Sequence, residues 1–329
     1  MNIDDLITQA LPHTVDEVSF PGAKAHFKGK VRESFSLGND QRLIVVTDRV
    51  SAFDFILGTI PFKGQVLNQV ANHWFSLLDE IGVHHHLIES TDPNVSRVRE
   101  GQVIPIEMVV RGYLTGSTTT SSWYAYQYLD RKICGITLPE GLKKNQAFAS
   151  PIITPTTKAD SGHDLAISRQ EILSQGIVSA DLWQQIEDLA LKMFTFGQKK
   201  ALERGLILVD TKYEMALDKD GRLMVIDEVH TPDSSRYWIA DTYQARFEAG
   251  ENPDMLDKEF VRTMTVANGY DVDSSEDPRN FFDTTIQQEA AKRYIELYER
   301  ITGKAFAFPK DLNVKKRIEA YLQNLQYPL

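Results

Sequence analysis

A single cysteine, Cys134, stands in 329 residues, so no disulfide can form within the chain. One isolated thiol reads as a small core residue rather than a nucleophile. Basic charge is also short. The 36 Lys and Arg against 46 Asp and Glu leave a formal net charge of −10. General nucleic-acid binding depends on cationic side chains displacing counterions, so that balance argues against it. A local cationic pocket for an anionic metabolite is still compatible with an acidic chain. No apolar run approaches the roughly 20 residues that span a bilayer. The opening MNIDDLITQALPHTVDEV lacks the charged-then-apolar pattern of a signal peptide. The expectation is a cytoplasmic chain with neither a membrane nor a nucleic-acid partner, a monomer or small homo-oligomer. Walker and GxGxxG phosphate loops are missing too, as are internal repeats and low-complexity linkers.

What is present is length enough for a large core, read as two packed lobes. Ile3–Leu11 reads as a short opening helix, and His26–Leu37 with Arg42–Asp48 as a hairpin around Gly38-Asn39-Asp40. Gln65–Ile81 carries Val66, Leu67, Val70, Trp74, Leu77 and Leu78 at helical spacing. Val103–Arg111 returns to a strand, where Pro105 hints at an edge or bulge. Lys143–Asp164 reads as a long polar loop, and such loops are functional or disordered. Ser168 to Glu171 has capping-box spacing, and Asp181–Glu203 is an amphipathic helix stopped by Gly205. Late helices are expected over Leu256–Ala267, Thr284–Ile301 and Val314–Leu325. Strands come early and centrally, helices late, which is the pattern of an α+β chain.

The hairpin Leu206–His230 is the most informative stretch. Two apolar runs flank Asp218-Lys219-Asp220-Gly221. A two-residue loop at Lys219-Asp220 would pair Leu217 with Arg222 and Lys212 with Asp227. Tyr213, Met215, Leu217, Met224 and Ile226 would then share the core face, and Lys212, Glu214 and Asp227 the other. On that register Glu214 and Asp227 lie on a cross-strand diagonal of roughly 7–8 Å, where one cation could take an oxygen from each. A lysine beside two carboxylates suits Mg²⁺ and nucleotide phosphates. The same face also fits an ordinary solvated sheet surface, and a one-residue slip would separate the three charges. Leu223, Val225 and Val229 on that face, and the dense exit loop Asp227, Glu228, Thr231, Asp233, Ser234, Ser235, Arg236, point toward a site.

Two further segments could hold anions. In Lys28-Gly29-Lys30-Val31-Arg32 a glycine lets backbone N–H groups approach a phosphate, with Lys30 and Arg32 as counter-charges; a solvent-exposed basic hairpin fits the same residues. In Arg111-Gly112-Tyr113-Leu114-Thr115-Gly116-Ser117 an arginine fork, an amide and a hydroxyl could form a phosphomonoester pocket, or simply a strand-to-helix turn. His84-His85-His86 makes a poor chelate, because adjacent side chains diverge, and reads as a solvated loop.

Taken in order, Gly29-Lys30-Val31-Arg32, Thr47-Asp48-Arg49-Val50-Ser51-Ala52-Phe53-Asp54, Val110 to Ser117, Thr154 to Asp160, Asp210 to Glu214 and Asp227 to Arg236 resemble the signatures of one family. It is the phosphoribosylaminoimidazole-succinocarboxamide synthase, or SAICAR synthetase, family of purine biosynthesis. The resemblance runs from about Gly29 to Ile301, and Lys304–Leu329 extends beyond it. It implies an ATP-dependent ligase that joins L-aspartate to the carboxylate of carboxyaminoimidazole ribonucleotide, giving SAICAR, ADP and phosphate, through an acyl phosphate. It implies a small N-terminal antiparallel-sheet lobe, residues 1–110, and a larger α+β lobe with a helical C-terminus, residues 111–329. ATP would lie in the cleft between them, in a kinase-like or ATP-grasp-like manner.

The resemblance also implies roles. Gly29, Lys30, Val31 and Arg32 would bind ATP, with Lys212 on a phosphate or the ribose. Glu214 and Asp227 would hold Mg²⁺. Arg111, Ser117, Arg236, Asp233 and Ser235 would bind the ribonucleotide, the first three gripping its phosphate. Lys158 and Asp164 would serve the aspartate or the reacting carboxylate, and Asp48 and Asp54 would line the site. Lys212, Lys158 and Asp164 are the catalytic candidates. A small-molecule kinase shares the metal and phosphate features without needing an amine site. A non-catalytic nucleotide-binding protein would have less reason to keep Lys212, Glu214 and Asp227.

Overall fold

The computed structural model describes residues 2–158, 165–256, 258–272 and 274–325. Helix α1 (Ile3–Ala10) leads into β1 (Ala25–Lys28), β2 (Arg32–Gly38) and β3 (Gln41–Val46). The single strand expected over His26–Leu37 is two strands. The Gly29 N–H donates to the Arg32 carbonyl at 2.9 Å, so the chain turns back on itself there. A small hairpin, β4 (Arg49–Ala52) and β5 (Phe55–Thr59), precedes helix α2 (Lys63–Asp79), and β6 (Leu87–Asp92) and β7 (Val95–Arg99) complete a five-stranded sheet of order β1-β2-β3-β7-β6. Helix α2 buries Val66, Leu67, Val70, Trp74 and Leu78, the stripe its spacing predicts.

The chain leaves the first sheet at Arg99 and enters the second at Gln102 in β8 (Gln102–Tyr113), so a division at 110/111 would cut a strand. After α3 (Ser122–Tyr128) and the short pair β9 (Lys132–Ile133) and β10 (Ile136–Thr137) come β11 (Ala147–Ile153) and β12 (Thr156–Thr157), both paired to β8. The described part of the expected loop, residues 143–158, is therefore not a plain loop, because β11 and β12 pair with β8. Helices α4 (Arg169–Ser174) and α5 (Ala180–Leu202) follow. The capping box at Ser168 and Glu171 is formed as read, and Gly205 turns the chain at φ +70°.

Strand β13 (Leu206–Leu217) then lies between β8 and its two later partners, β14 (Leu223–Ile226) and β15 (Ser235–Ile239). The bulge hinted at by Pro105 is real: the β8–β13 register shifts between Glu214–Glu107 and Ala216–Val103. Helices α6 (Ala240–Ala249), α7 (Glu259–Ala267), α8 (Thr284–Thr302) and α9 (Val314–Asn324) close the chain. Strand β15 and α6 escaped the sequence reading, since Arg236 and its neighbours look like loop. The last helix, α9, puts Val314, Ile318 and Leu322 against Phe35, Leu43, Val45 and Val95 on the outer face of the first sheet. Among the described residues no helix is long and apolar enough to cross a membrane.

The histidine run is not a solvated loop. The His84 ring meets Asp218 at 2.9 Å and His85 meets Asp79 at 3.0 Å, while His86 is buried. The rings of His85 and His86 both pack against Phe75. Burial pushes the rings of His86 and His230 down to about 3, from an ordinary 6.5. The unfolded chain thus binds protons there that the folded chain refuses. Their contribution is complete above pH 6.5 and is lost as pH falls toward 3. We expect the thermal midpoint to drop through that window and the slope to shrink in His86→Asn. An unchanged slope would assign the loss to other groups.

Candidate active site

The hairpin that carries the charges is built one residue out of the expected register. Leu217 faces Leu223 and Glu214 faces Ile226, because the turn takes up residues 218–222. The Asp218 carboxylate accepts the amides of Asp220 and Arg222, each at 2.9 Å, and Gly221 takes φ +75°. An Asx-type turn of this kind outcompetes the two-residue loop. The slip brings Ile226 to the face of Glu214 and sends Val225 into the core with Met215. It does not separate the acids. Asp227 lies just past β14 with φ +67°, and this left-handed residue re-aims its side chain into the same cleft as Glu214.

That cleft has a volume of about 510 Å³. Gly29, Lys30, Val31 and Arg32 form one rim, and Lys212, Glu214 and Asp227 the opposite wall. Ile44, Val98, Val103, Ala216 and Ile226 make an apolar end beside the crossing at Arg99–Gly101. Arg32 spans the opening, donating to Asp227 at 2.5 Å and reaching Glu228 at 2.5 Å. Lys30, at the exposed tip of its turn, pairs with Asp54 at 3.2 Å.

On the far wall Lys212 donates to Glu107 at 2.6 Å and to Glu214 at 2.9 Å. Lys158 takes the other Glu214 oxygen. Glu107 stands directly across the ladder from Glu214. Burial alone would raise the Glu214 carboxyl, but Lys212 and Lys158 hold it well below the usual range. Burial raises Asp227, and the charges of Glu214 and Glu228 add to this against the pull of Arg32. Lys212 is held protonated: its carboxylate neighbours outweigh its desolvation.

A divalent cation fits this donor set. Glu214 and Asp227 offer hard carboxylate oxygens, and the Glu214 charge adds to the burial that raises the Asp227 carboxyl, which a bound cation would relieve. No group of three or more His, Cys, Asp or Glu forms a ready-made metal cage among the described residues. Two protein carboxylates completed by water and phosphate oxygens is the way Mg²⁺ is usually bound.

A second cluster lies farther along β13. Asp210 is in register with Arg111 on β8 and with Arg236 on β15. It accepts from Arg236 at 2.5 Å and sits 3.7 Å from Arg111. The buried Arg111 also donates to the Thr154 hydroxyl at 2.8 Å and to the Thr120 carbonyl at 3.1 Å. A Cβ on Gly116 would come within 3.6 Å of the Arg236 guanidinium, and Ser117 donates to Glu259, which also lies 3.9 Å from Arg236. Arg111, Ser117 and Arg236 are thus brought together from two strands and a loop, around Asp210 on a third strand.

Asp233, expected from the sequence, is the centre of a buried ion group whose other members sequence reasoning did not find. Asp233 lines the cleft and binds Lys63 at 2.7 Å and the Tyr294 hydroxyl at 2.7 Å, with Lys258 at 3.9 Å. Against burial, Lys63 and Lys258 hold its carboxyl below the ordinary range. The signal for Lys63 was a lysine opening an apolar helix stripe, and for Glu107 an acid inside an apolar strand. Two candidates point elsewhere. The buried Ser235 hydroxyl is shared with Thr211 at 2.7 Å, tying β15 to β13. Asp48 is buried and accepts the amides of Val15 and Gly64, each at 2.8 Å, so it braces backbone instead of lining the cleft. Asp164 lies outside the described residues.

A sequence profile of the SAICAR synthetase family matches residues 25–277. The chain belongs to the SAICAR synthetase family. A phosphoribosylaminoimidazole-succinocarboxamide synthase of Legionella pneumophila (strain Paris) is 46% identical over 319 residues, 96% of this chain and 99% of the relative. One from Bacteroides fragilis is 44% identical over 308 residues, 93% and 96% of the two chains. Among solved structures, the Saccharomyces cerevisiae SAICAR synthase complexed with SAICAR matches with a TM-score of 0.74 and 31% identity, covering 90% of this chain and all of that one. A SAICAR synthetase in complex with ADP matches with a TM-score of 0.65 and 27% identity, covering 86% of this chain. The α+β fold expected from the sequence is the fold of SAICAR synthases.

Proposed function

We propose that the chain joins L-aspartate to the carboxylate of carboxyaminoimidazole ribonucleotide at the cost of ATP, giving SAICAR, ADP and phosphate. The observation that supports this reading is the pairing of two anion sites on one strand: the cleft where the Gly29–Arg32 rim faces Lys212, and, farther along β13 and outside that cleft's lining, Asp210 with Arg111 and Arg236. The lobes meet at Glu100–Gly101 in this reading, with the nucleotide base at the apolar end beside that crossing.

A carboxylate is a poor acyl donor because oxide is a poor leaving group. One carboxylate oxygen of the ribonucleotide attacks the γ-phosphorus, and ADP departs. The aspartate amine then attacks the acyl carbon, phosphate leaves with the C–O pair, and the nitrogen loses a proton. Glu214 and Asp227 would hold Mg²⁺, which when bound supplies charge stabilisation on the phosphates. The Gly29–Val31 amides and Lys30 cradle the phosphates, and Lys212 contacts phosphate or ribose. Arg111, Ser117 and Arg236 hold the ribonucleotide phosphate, and Lys158 with Asp164 serves the aspartate and the reacting carboxylate. Incubation with ATP and ribonucleotide, with and without L-aspartate, followed by mass analysis, tests the reading. Amide product formed in step with ADP is expected, and a phosphorylated ribonucleotide as the end product would favour a kinase.

Arg111→Lys keeps the charge but loses the planar fork that spans Thr154, Thr120 and Asp210. We expect apparent ribonucleotide affinity to fall by roughly 10-fold, the scale of one charge-assisted hydrogen bond, with ATP affinity little changed. A parallel fall in both would make Arg111 a residue of lobe structure.

A further inference from the structure

Arg49 lies outside the cleft and is buried, yet its guanidinium is directed at the one turn that the proposed reaction needs for phosphate. Its Nε donates to the Lys30 carbonyl at 3.0 Å, and its Nη2 to the carbonyls of Gly29 at 2.9 Å and Arg32 at 3.3 Å. Its Nη1 donates to Glu33 at 2.6 Å and to the Asp16 carbonyl. Thr47, two residues earlier, takes the remaining carbonyl: its hydroxyl donates to Val31 at 2.8 Å and its amide to the same oxygen at 3.1 Å. Every carbonyl from Gly29 to Arg32 is therefore held by Arg49 or Thr47.

A trans peptide points its N–H opposite to its C=O. Holding the Gly29 and Lys30 carbonyls on the side of Arg49 aims the Lys30 and Val31 amides to the other side, where these residues line the cleft. Successive amides turned the same way form an anion-binding concavity. Only a planar fork of five N–H donors can serve this many acceptors at once; a lysine ammonium has three donors at one point. The buried charge is matched by Glu33, wholly buried, which His26 approaches from its far side at 2.8 Å.

We propose that Arg49 is a positioning residue for ATP, acting through the backbone of the Gly29–Arg32 turn without touching the nucleotide. This rests on the reading of that turn as the phosphate cradle, and the test separates the two. Amide resonances of Lys30 and Val31 are followed in the full chain as ADP and Mg²⁺ are added, in wild type and in Arg49→Lys. ADP affinity, the KM for each substrate and thermal melting are measured alongside. The expected result is that both amides shift in wild type. Arg49→Lys should show displaced amides, and a KM for ATP and a dissociation constant for ADP raised on the order of tenfold, the factor carried by a misaligned charge-assisted hydrogen bond. The KM for the ribonucleotide should stay near wild type.

Thr47→Val, which removes one hydroxyl and keeps the shape, should move the same quantities less, and it decides the matter if Arg49→Lys does not fold. Amides that ignore ADP in wild type would overturn the phosphate-cradle reading. Amides that respond in wild type, with ADP affinity unaltered in the variant that folds, would overturn the Arg49 proposal alone. Equal loss of affinity for all substrates, in step with lost melting temperature, would also overturn it, as mere destabilisation.

Discussion

Asp227→Asn is expected to lower turnover by roughly 10²-fold or more, the scale of removing one electrostatic contact that serves the transition state, while the protein stays folded. The fold should survive for two reasons. Asn accepts the left-handed conformation that Asp227 adopts at φ +67°. Arg32 also keeps Glu228 at 2.5 Å when one carboxylate is neutralised, so the span across the cleft remains anchored. What is lost is a charge beside Glu214, and with it half of the proposed Mg²⁺ set. Turnover measured over a range of Mg²⁺ concentrations, with thermal melting as the folding control, checks this. Near-normal turnover throughout would remove Asp227 from the site.

The second large effect is expected at Lys158, on the short path between β12 and the undescribed residues 159–164. Its ammonium caps the Glu214 oxygen that Lys212 leaves open. ATP binding in Lys158→Ala should be largely intact, because Lys212 still has Glu107 and Glu214 and the Gly29–Arg32 turn is untouched. Amide formation should nonetheless fall by roughly 10²-fold, since a cation that offsets the gathered negative charge is gone. ADP release and product mass are the readouts. Fast ADP formation by wild type without aspartate, and no aspartate-containing product, would sink the ligase reading itself.

How much of this was legible depended on the range of the interaction that decides it. Helices α2, α5 and α8 announce themselves because their apolar spacing and caps are local. The cap at Ser168 is a four-residue pattern and is found as written. The Leu206–His230 hairpin was visible, but its register was not, because the choice between turns rested on how many amides Asp218 could satisfy. Motif order assembled most site residues, although the ladder from Arg111 through Asp210 to Arg236 joins strands far apart in the chain. Glu107, Lys63 and Lys258 went unnoticed. Each is a charge whose meaning comes only from a partner that another strand or helix supplies.

The covering of the first sheet by α9 bears on how the chain comes into being. Phe35, Leu43, Val45 and Val95 belong to strands made early, but the apolar surface that shields them includes Val314, Ile318 and Leu322. Arg317 reinforces this by reaching Asp92 and Asn94 near the β6–β7 turn. Domains commonly fold as units in the order of their synthesis, and this lobe is arranged against doing so. During translation its sheet would wait, one face wet, until residues 314–322 emerged. The proposed nucleotide-binding rim between β1 and β2 would thus acquire its final support last.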